Sequence, residues 1–112
     1  MIDEREKFTA VYWHNLNLRD KYLYGYRLTD DLVYVGQVVA YDPEDAFRRF
    51  NRIDAPVPVL DMAEAPSMGV GDVVQIIEHD EWWAVAPAGF TRISEPDQEC
   101  LIRGKNVKDA IK

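Results

Sequence analysis

Apolar and polar positions along this chain group into short blocks, most with the period of a strand and one with the period of a helix. Phe8-Thr9-Ala10-Val11-Tyr12-Trp13 is rich in aromatic and β-branched residues and predicts a first strand. His14 to Asp20 reads as a polar loop. Tyr22 to Leu28 predicts a second strand, with Tyr22, Tyr24 and Tyr26 on one face by the period of two and Gly25 opposite them. After a turn at Thr29-Asp30-Asp31, the block Leu32–Tyr41 is the longest strand candidate. Its apolar residues do not alternate cleanly, so cover on both faces is expected, with Gly36 a candidate bulge.

The helical block is Asp42–Ile53. Asp42 suits the N-cap and Pro43 the first helical position, and Glu44 and Asp45 place negative charge at the positive end of the helix dipole. Ala46, Phe47, Phe50 and Ile53 form one apolar stripe, with Arg48, Arg49 and Arg52 off it, read as a solvated face. Pro56 and Pro58 forbid continuation, and Ala55–Pro66 is expected to run extended over the surface.

The block that organises the rest is Ser67–Ile93, SMGVGDVVQIIEHDEWWAVAPAGFTRI. A glycine turn at Met68–Asp72 enters a strand over Val73–Ile77, and Glu78–Glu81 connects to a returning strand over Trp82–Ala86. Pro87-Ala88-Gly89 then turns the chain so that Phe90 and Ile93 come back to the core. Alternation puts Trp82 and Trp83 on opposite faces, so one indole is expected inside and the other at least partly exposed. The pattern therefore predicts an α+β domain, a small antiparallel sheet of about four to six strands with one helix (about residues 43–53) packed on it. Residues 1–94 make a single compact unit and 95–112 a tail, partly ordered or ending in a short helical turn at Val107–Ile111.

Composition narrows the function. The formal net charge is −7, and from Glu95 onward four acids are offset by four bases, so the whole excess lies on Met1–Ser94. That argues against direct nucleic-acid binding, which needs a basic surface. No apolar run is long enough to span a bilayer, and the amino terminus is charged rather than basic-then-apolar, so no membrane association is expected. The single cysteine, Cys100, fits a cytoplasmic protein.

No catalytic set emerges. Cys100 lies in the tail, and His14 and His79 fall in expected loops without a second ligand at metal spacing. Gly69-Val70-Gly71 lacks the lysine and glycine spacing of a phosphate loop and leads into a strand. No enzyme activity, metal or cofactor is expected.

Three pieces of the chain resemble the YodL-like domain, a small domain of bacterial genomes, plasmids and phages. They are the helix Pro43-Glu44-Asp45-Ala46-Phe47-Arg48-Arg49-Phe50-Asn51, the stretch Ser67-Met68-Gly69-Val70-Gly71-Asp72-Val73-Val74, and the pair Trp82-Trp83 followed by Gly89-Phe90. The family tends to show Ser-Met-Ser-Val-Gly-Asp-Val-Val in the second piece and tyrosine in the third, so Gly69 and the tryptophans depart from it. The resemblance covers roughly the middle half of the chain. It implies a mobile-element setting and no catalytic activity.

Two roles follow as expectations. The first is a non-enzymatic accessory or protein-interaction domain whose partner is a host or mobile-element protein, with Trp82, Trp83 and Phe90 as candidate contacts. The second is an acidic inhibitor of a host defence nuclease that occupies a nucleic-acid site through Asp30, Asp31, Asp42, Glu44 and Asp45. A small-molecule sensor using the tyrosine face is a third, and the chain is expected to be a monomer or a homodimer.

Overall fold

The computed structural model describes residues 6–51 and 67–104. The expectations for Ile53, Ala55–Pro66 and Val107–Ile111 lie outside the described residues. Six strands form one sheet: β1 (Phe8–Asn15), β2 (Leu32–Ala40), β3 (Val73–Ile76), β4 (Glu81–Val85), β5 (Phe90–Ile93) and β6 (Leu101–Ile102). Their order across the sheet is β5-β4-β3-β1-β2-β6. Every neighbouring pair is antiparallel except β2 and β6, which run parallel. The fold is thus mostly sheet with a small helical part, and the segment after Ser94 returns to add a strand.

The central strands carry the apolar blocks. β1 lies between β2 and β3, and both of its faces are covered. On one face Ala10 and Tyr12 pack with Val74, Ile76 and Val85 beneath the nine-residue helix α2 (Pro43–Asn51), which contributes Ala46 and Phe50. On the other face Val11 and Trp13 pack with Leu32, Val73, Trp82 and Ala84. The uneven pattern of β2 has a local cause. Tyr12 pairs with Gly36 and Trp13 with Tyr34, so Val35 is an extra residue. The bulge shifts the phase by one position, which lets Val33, Val35, Val38 and Ala40 all join the helix side.

The helix begins as its sequence demands. Asp42 Oδ1 accepts the Asp45 N–H at 2.7 Å, and Asp45 Oδ2 in turn accepts the Tyr41 N–H at 3.0 Å. At its other end the Asn51 side chain clamps Met68, accepting its N–H at 2.6 Å and donating to its carbonyl at 3.0 Å. Two of the pieces that carry the family resemblance are therefore joined directly.

Two expectations are corrected. His14 and Asn15 are not loop residues; they are the last two residues of β1 and are buried. Tyr22–Leu28 is not a strand. Lys21–Tyr24 forms a single helical turn, α1, which Gly25 ends at φ +71° with its N–H donating to the Lys21 carbonyl. The tyrosine spacing imitates a strand, but the backbone here bonds locally, with Lys21 N–H to Asn17 and Tyr24 N–H to Asp20.

Candidate functional site

Everything between β1 and β2 is one closed loop. The Leu16 N–H donates to the Asp31 carbonyl at 2.9 Å, so Leu16–Asp31 leaves the sheet and returns to the same point, an Ω-type loop. Two buried carboxylates hold it. Asp30 accepts from Asn15 Nδ2 (2.9 Å), Asn17 Nδ2 (3.0 Å) and the Arg27 N–H (2.8 Å). Asp72, in the turn before β3, reaches further.

The Asp72 side chain is sealed from solvent and is the hub of the polar interior. Its Oδ1 accepts the Asn15 N–H at 2.8 Å and Lys21 Nζ at 3.0 Å, and lies 3.2 Å from His14 Nδ1. Its Oδ2 accepts the Gly69 N–H at 2.8 Å and the Tyr12 hydroxyl at 3.3 Å. The Tyr12 oxygen is also 3.0 Å from His14 Nδ1, which is satisfied when Nδ1 carries the proton and Tyr12 donates to Asp72. Burial alone raises the Asp72 carboxyl. The His14 bond, the Lys21 charge and the Asn15 N–H outweigh it and hold the group below the usual carboxylate range. Tyr12 is driven strongly upward, by burial first and the Asp72 charge second.

Tyrosine, histidine, lysine and aspartate are the residue types of acid–base chemistry, but here each is 0–1% exposed. Their bonds run to the backbone and to one another. The cluster is a fastening for the loop and the Met68–Asp72 turn. Gly71 lets it close: its φ is +91°, and a Cβ there would stand 2.5 Å from Lys21 Cβ. No group of three or more His, Cys, Asp or Glu able to hold a metal occurs among the described residues.

The fastened loop exposes several large apolar side chains beside the polar Arg19, Arg27, Thr29 and Asp31. Tyr22, Leu23, Tyr24 and Leu28 are 62%, 76%, 64% and 59% exposed. The Arg27 guanidinium lies 4.2 Å from the centre of the Tyr24 ring, holding it in place. Beside this patch runs an open groove of about 280 Å³. Residues 23–26 form one wall, and residues 84–87 with Thr91 and Ile93 of the β4–β5 hairpin form the rest. The Tyr26 hydroxyl is buried without a partner among the described residues, and its pKa is pushed up to about 12, chiefly by burial.

The candidate contacts expected from sequence are placed unequally. Trp82 is the inner indole, 2% exposed, with its ring 6.0 Å from that of Trp13, and has no surface to offer. Trp83 and Phe90 are half-buried on the helix side, where Phe90 meets Phe47 edge-on and Arg92 lies 5.6 Å from the Trp83 ring. Asp30 is buried in the loop fastening, away from any acidic face, while Asp31 is exposed beside it. Asp42 and Asp45 serve the helix start, Asp45 also pairing with Arg49 at 2.9 Å; Asp42 and Glu44 are exposed and Asp45 is partly buried. Asp30 and Asp31 thus belong to the loop that carries the aromatic side chains, whereas Asp42, Glu44 and Asp45 stand at the start of α2. Missed from sequence were Lys21, whose place in an apolar-looking run gave the only signal, and Asp72, which reads as an ordinary turn residue.

Fold and site together define a mostly-β domain that fastens an aromatic loop with a buried polar cluster. No protein-family model, curated protein or solved structure matches this chain. No helix among the described residues is long and apolar enough to cross a membrane.

Proposed function

We propose that this chain is a protein-interaction domain without chemistry of its own, and that it holds a host or mobile-element protein through the Leu16–Asp31 loop. One observation carries the reading: Tyr22, Leu23, Tyr24 and Leu28 face solvent together on a loop whose backbone is tied down from inside. An apolar patch of this kind costs solubility and is the usual mark of a contact surface. Tyrosine is favoured at interface hot spots, and a loop already ordered loses little entropy on binding. The mobile-element setting rests on the resemblance in Pro43–Asn51, Ser67–Val74 and Trp82–Trp83 with Gly89-Phe90, and the cytoplasmic setting on the lone cysteine.

The charge-driven inhibitor is the weaker reading, since Asp30, Asp42 and Asp45 are engaged in bonds within the domain. Affinity capture from host lysate at low and high salt separates the two. The proposal expects a protein retained at both salt concentrations, lost with Leu23→Glu or Tyr24→Ala, and cross-linked by a photoreactive residue at Tyr22. Capture that is shed at high salt and abolished by Asp31→Lys or Glu44→Lys, with Leu23→Glu silent, overturns it in favour of the inhibitor.

A further inference from the structure

Among the described residues the sheet ends at β5, and no described strand pairs with its outer edge. Val85 directs its backbone toward β3, donating to Asp72 and accepting from Gly71, while the Ala86 N–H donates to Gly89 across the hairpin. Antiparallel alternation then gives the Ala84–Thr91 and Trp82–Ile93 pairs to the β4–β5 ladder. The N–H and C=O groups of Phe90 and Arg92 therefore point outward, and no strand follows β5 among the described residues.

We propose that β5 pairs antiparallel with β5 of a second copy of this chain, Phe90 opposite Arg92 across a two-fold axis at Thr91. This register uses every outward group of both strands and is reciprocal, as a two-fold interface requires. Its side chains complement one another. Phe90 and Arg92 share the helix-side face, and Arg92 already lies 5.6 Å from the Trp83 ring. The pairing brings Phe90 of the second copy to the other side of that guanidinium, which then sits between two aromatic rings. On the opposite face Ile93 comes against Gly89 of the second copy, where no side chain obstructs it. A charge on an edge strand ordinarily deters pairing, but Glu81 Oε2 stands 3.4 Å from Arg92 and offsets it. The chain is acidic, yet Phe90–Ile93 contains no carboxylate, so two copies meet along a seam free of like-charged acids.

The test is sedimentation velocity of the full chain from about 1 µM to about 1 mM, the range that brackets weak and moderate self-association. The expected mass rises toward twice the 12.9 kDa of one chain. Arg92→Pro removes the outward N–H together with the guanidinium beside Trp83 and Glu81 but leaves the β4–β5 ladder bonds in place, so it is expected to stay folded by circular dichroism and to remain monomeric. Arg92→Glu, which sets carboxylates near each other across the axis, is expected to weaken association at least about tenfold and serves if the proline variant misfolds. Hydrogen exchange of the wild-type chain must slow at the Phe90 and Arg92 amides as concentration rises. A mass of one chain throughout, a dimer indifferent to Arg92→Glu, or slowed exchange elsewhere but not at these amides overturns the proposal. The first of these outcomes leaves the edge to a strand from another protein.

Discussion

Lys21 and Asp72, fifty-one positions apart in sequence, meet at 3.0 Å with their side chains 1% and 0% exposed. One stands on the loop that displays Tyr22, Leu23 and Tyr24; the other stands in the turn that feeds the β3–β4–β5 meander. Taking two charges out of water costs several kcal/mol per ion, and their attraction does not by itself guarantee net stability. The pair makes physical sense as a positioning device. The lysine cannot leave Asp72 without a buried carboxylate losing a cation, so α1 is held in one place over the turn.

Removing one partner should therefore cost more than removing both. Asp72→Asn strands a buried ammonium and is expected to lose about 3–5 kcal/mol of unfolding free energy. Lys21→Met added to Asp72→Asn should restore part of that loss, because the buried charge is then gone. Urea denaturation of the two single variants and the double variant gives the coupling as a cycle. Additive losses would show that the two groups do not act as a pair.

The same carboxylate sets an acid limit. Its folded pKa is below the ordinary value of 3.8, with burial opposed and outweighed by His14, Lys21 and Asn15. A depressed folded pKa means that the unfolded chain binds the proton first. The contribution is full above about pH 4 and is lost as pH falls through 3.8 toward the folded value. Glu78, lowered chiefly by the Thr9 N–H, acts in the same direction. Unfolding free energy measured from pH 6 to pH 2 should fall steeply below pH 4, and Asp72→Asn should flatten that slope.

Gly71 and Gly89 separate backbone strain from crowding. Both have positive φ, +91° and +89°, but a Cβ at Gly89 meets nothing within 4 Å while one at Gly71 strikes Lys21. Alanine at Gly89 should cost about 1–3 kcal/mol, the strain alone. Alanine at Gly71 should cost clearly more and should also disturb the loop, visible as faster hydrogen exchange across Leu16–Asp31. Equal losses at the two positions would mean that the Lys21 contact yields without penalty.

The elements that pack by repeating pattern were legible in the sequence, and those that depend on a distant partner were not. The helix start at Asp42 and Pro43, the meander from Val73 to Ile93 and the opposite placement of Trp82 and Trp83 are local, and each followed from caps, turns or alternation. Lys21–Tyr24 misled because a period of two in tyrosines is also what a helical turn in an irregular loop can show by accident. What fixes that segment, Asp72, lies beyond any local window. His14 and Asn15 looked like loop residues for the same reason: a polar strand end is stable only because Asp72, Tyr12 and Asp30 satisfy it. Strand β6 was hidden because two apolar residues, Leu101 and Ile102, carry no period at all.

Trp82 and Trp83 offer a last discrimination, between packing and contact. Trp82 lies against Trp13 in the face that α2 does not cover, and its Nε1 has no partner among the described residues. Trp82→Ala should cost about 3–5 kcal/mol, as large aromatic deletions in a core do. Trp82→Phe should recover most of it, since no hydrogen bond to a described residue is given up. Trp83 is half-buried beside Phe90, so Trp83→Ala should cost distinctly less. It removes one of the two rings that flank Arg92 in the proposed strand pair, so it should also weaken self-association while leaving capture through Tyr22–Tyr24 intact. Thermal melts, sedimentation and capture on the same three variants check this. A Trp83→Ala variant that loses captured protein while keeping its mass behaviour would move the contact surface from the Leu16–Asp31 loop to the helix side of the sheet.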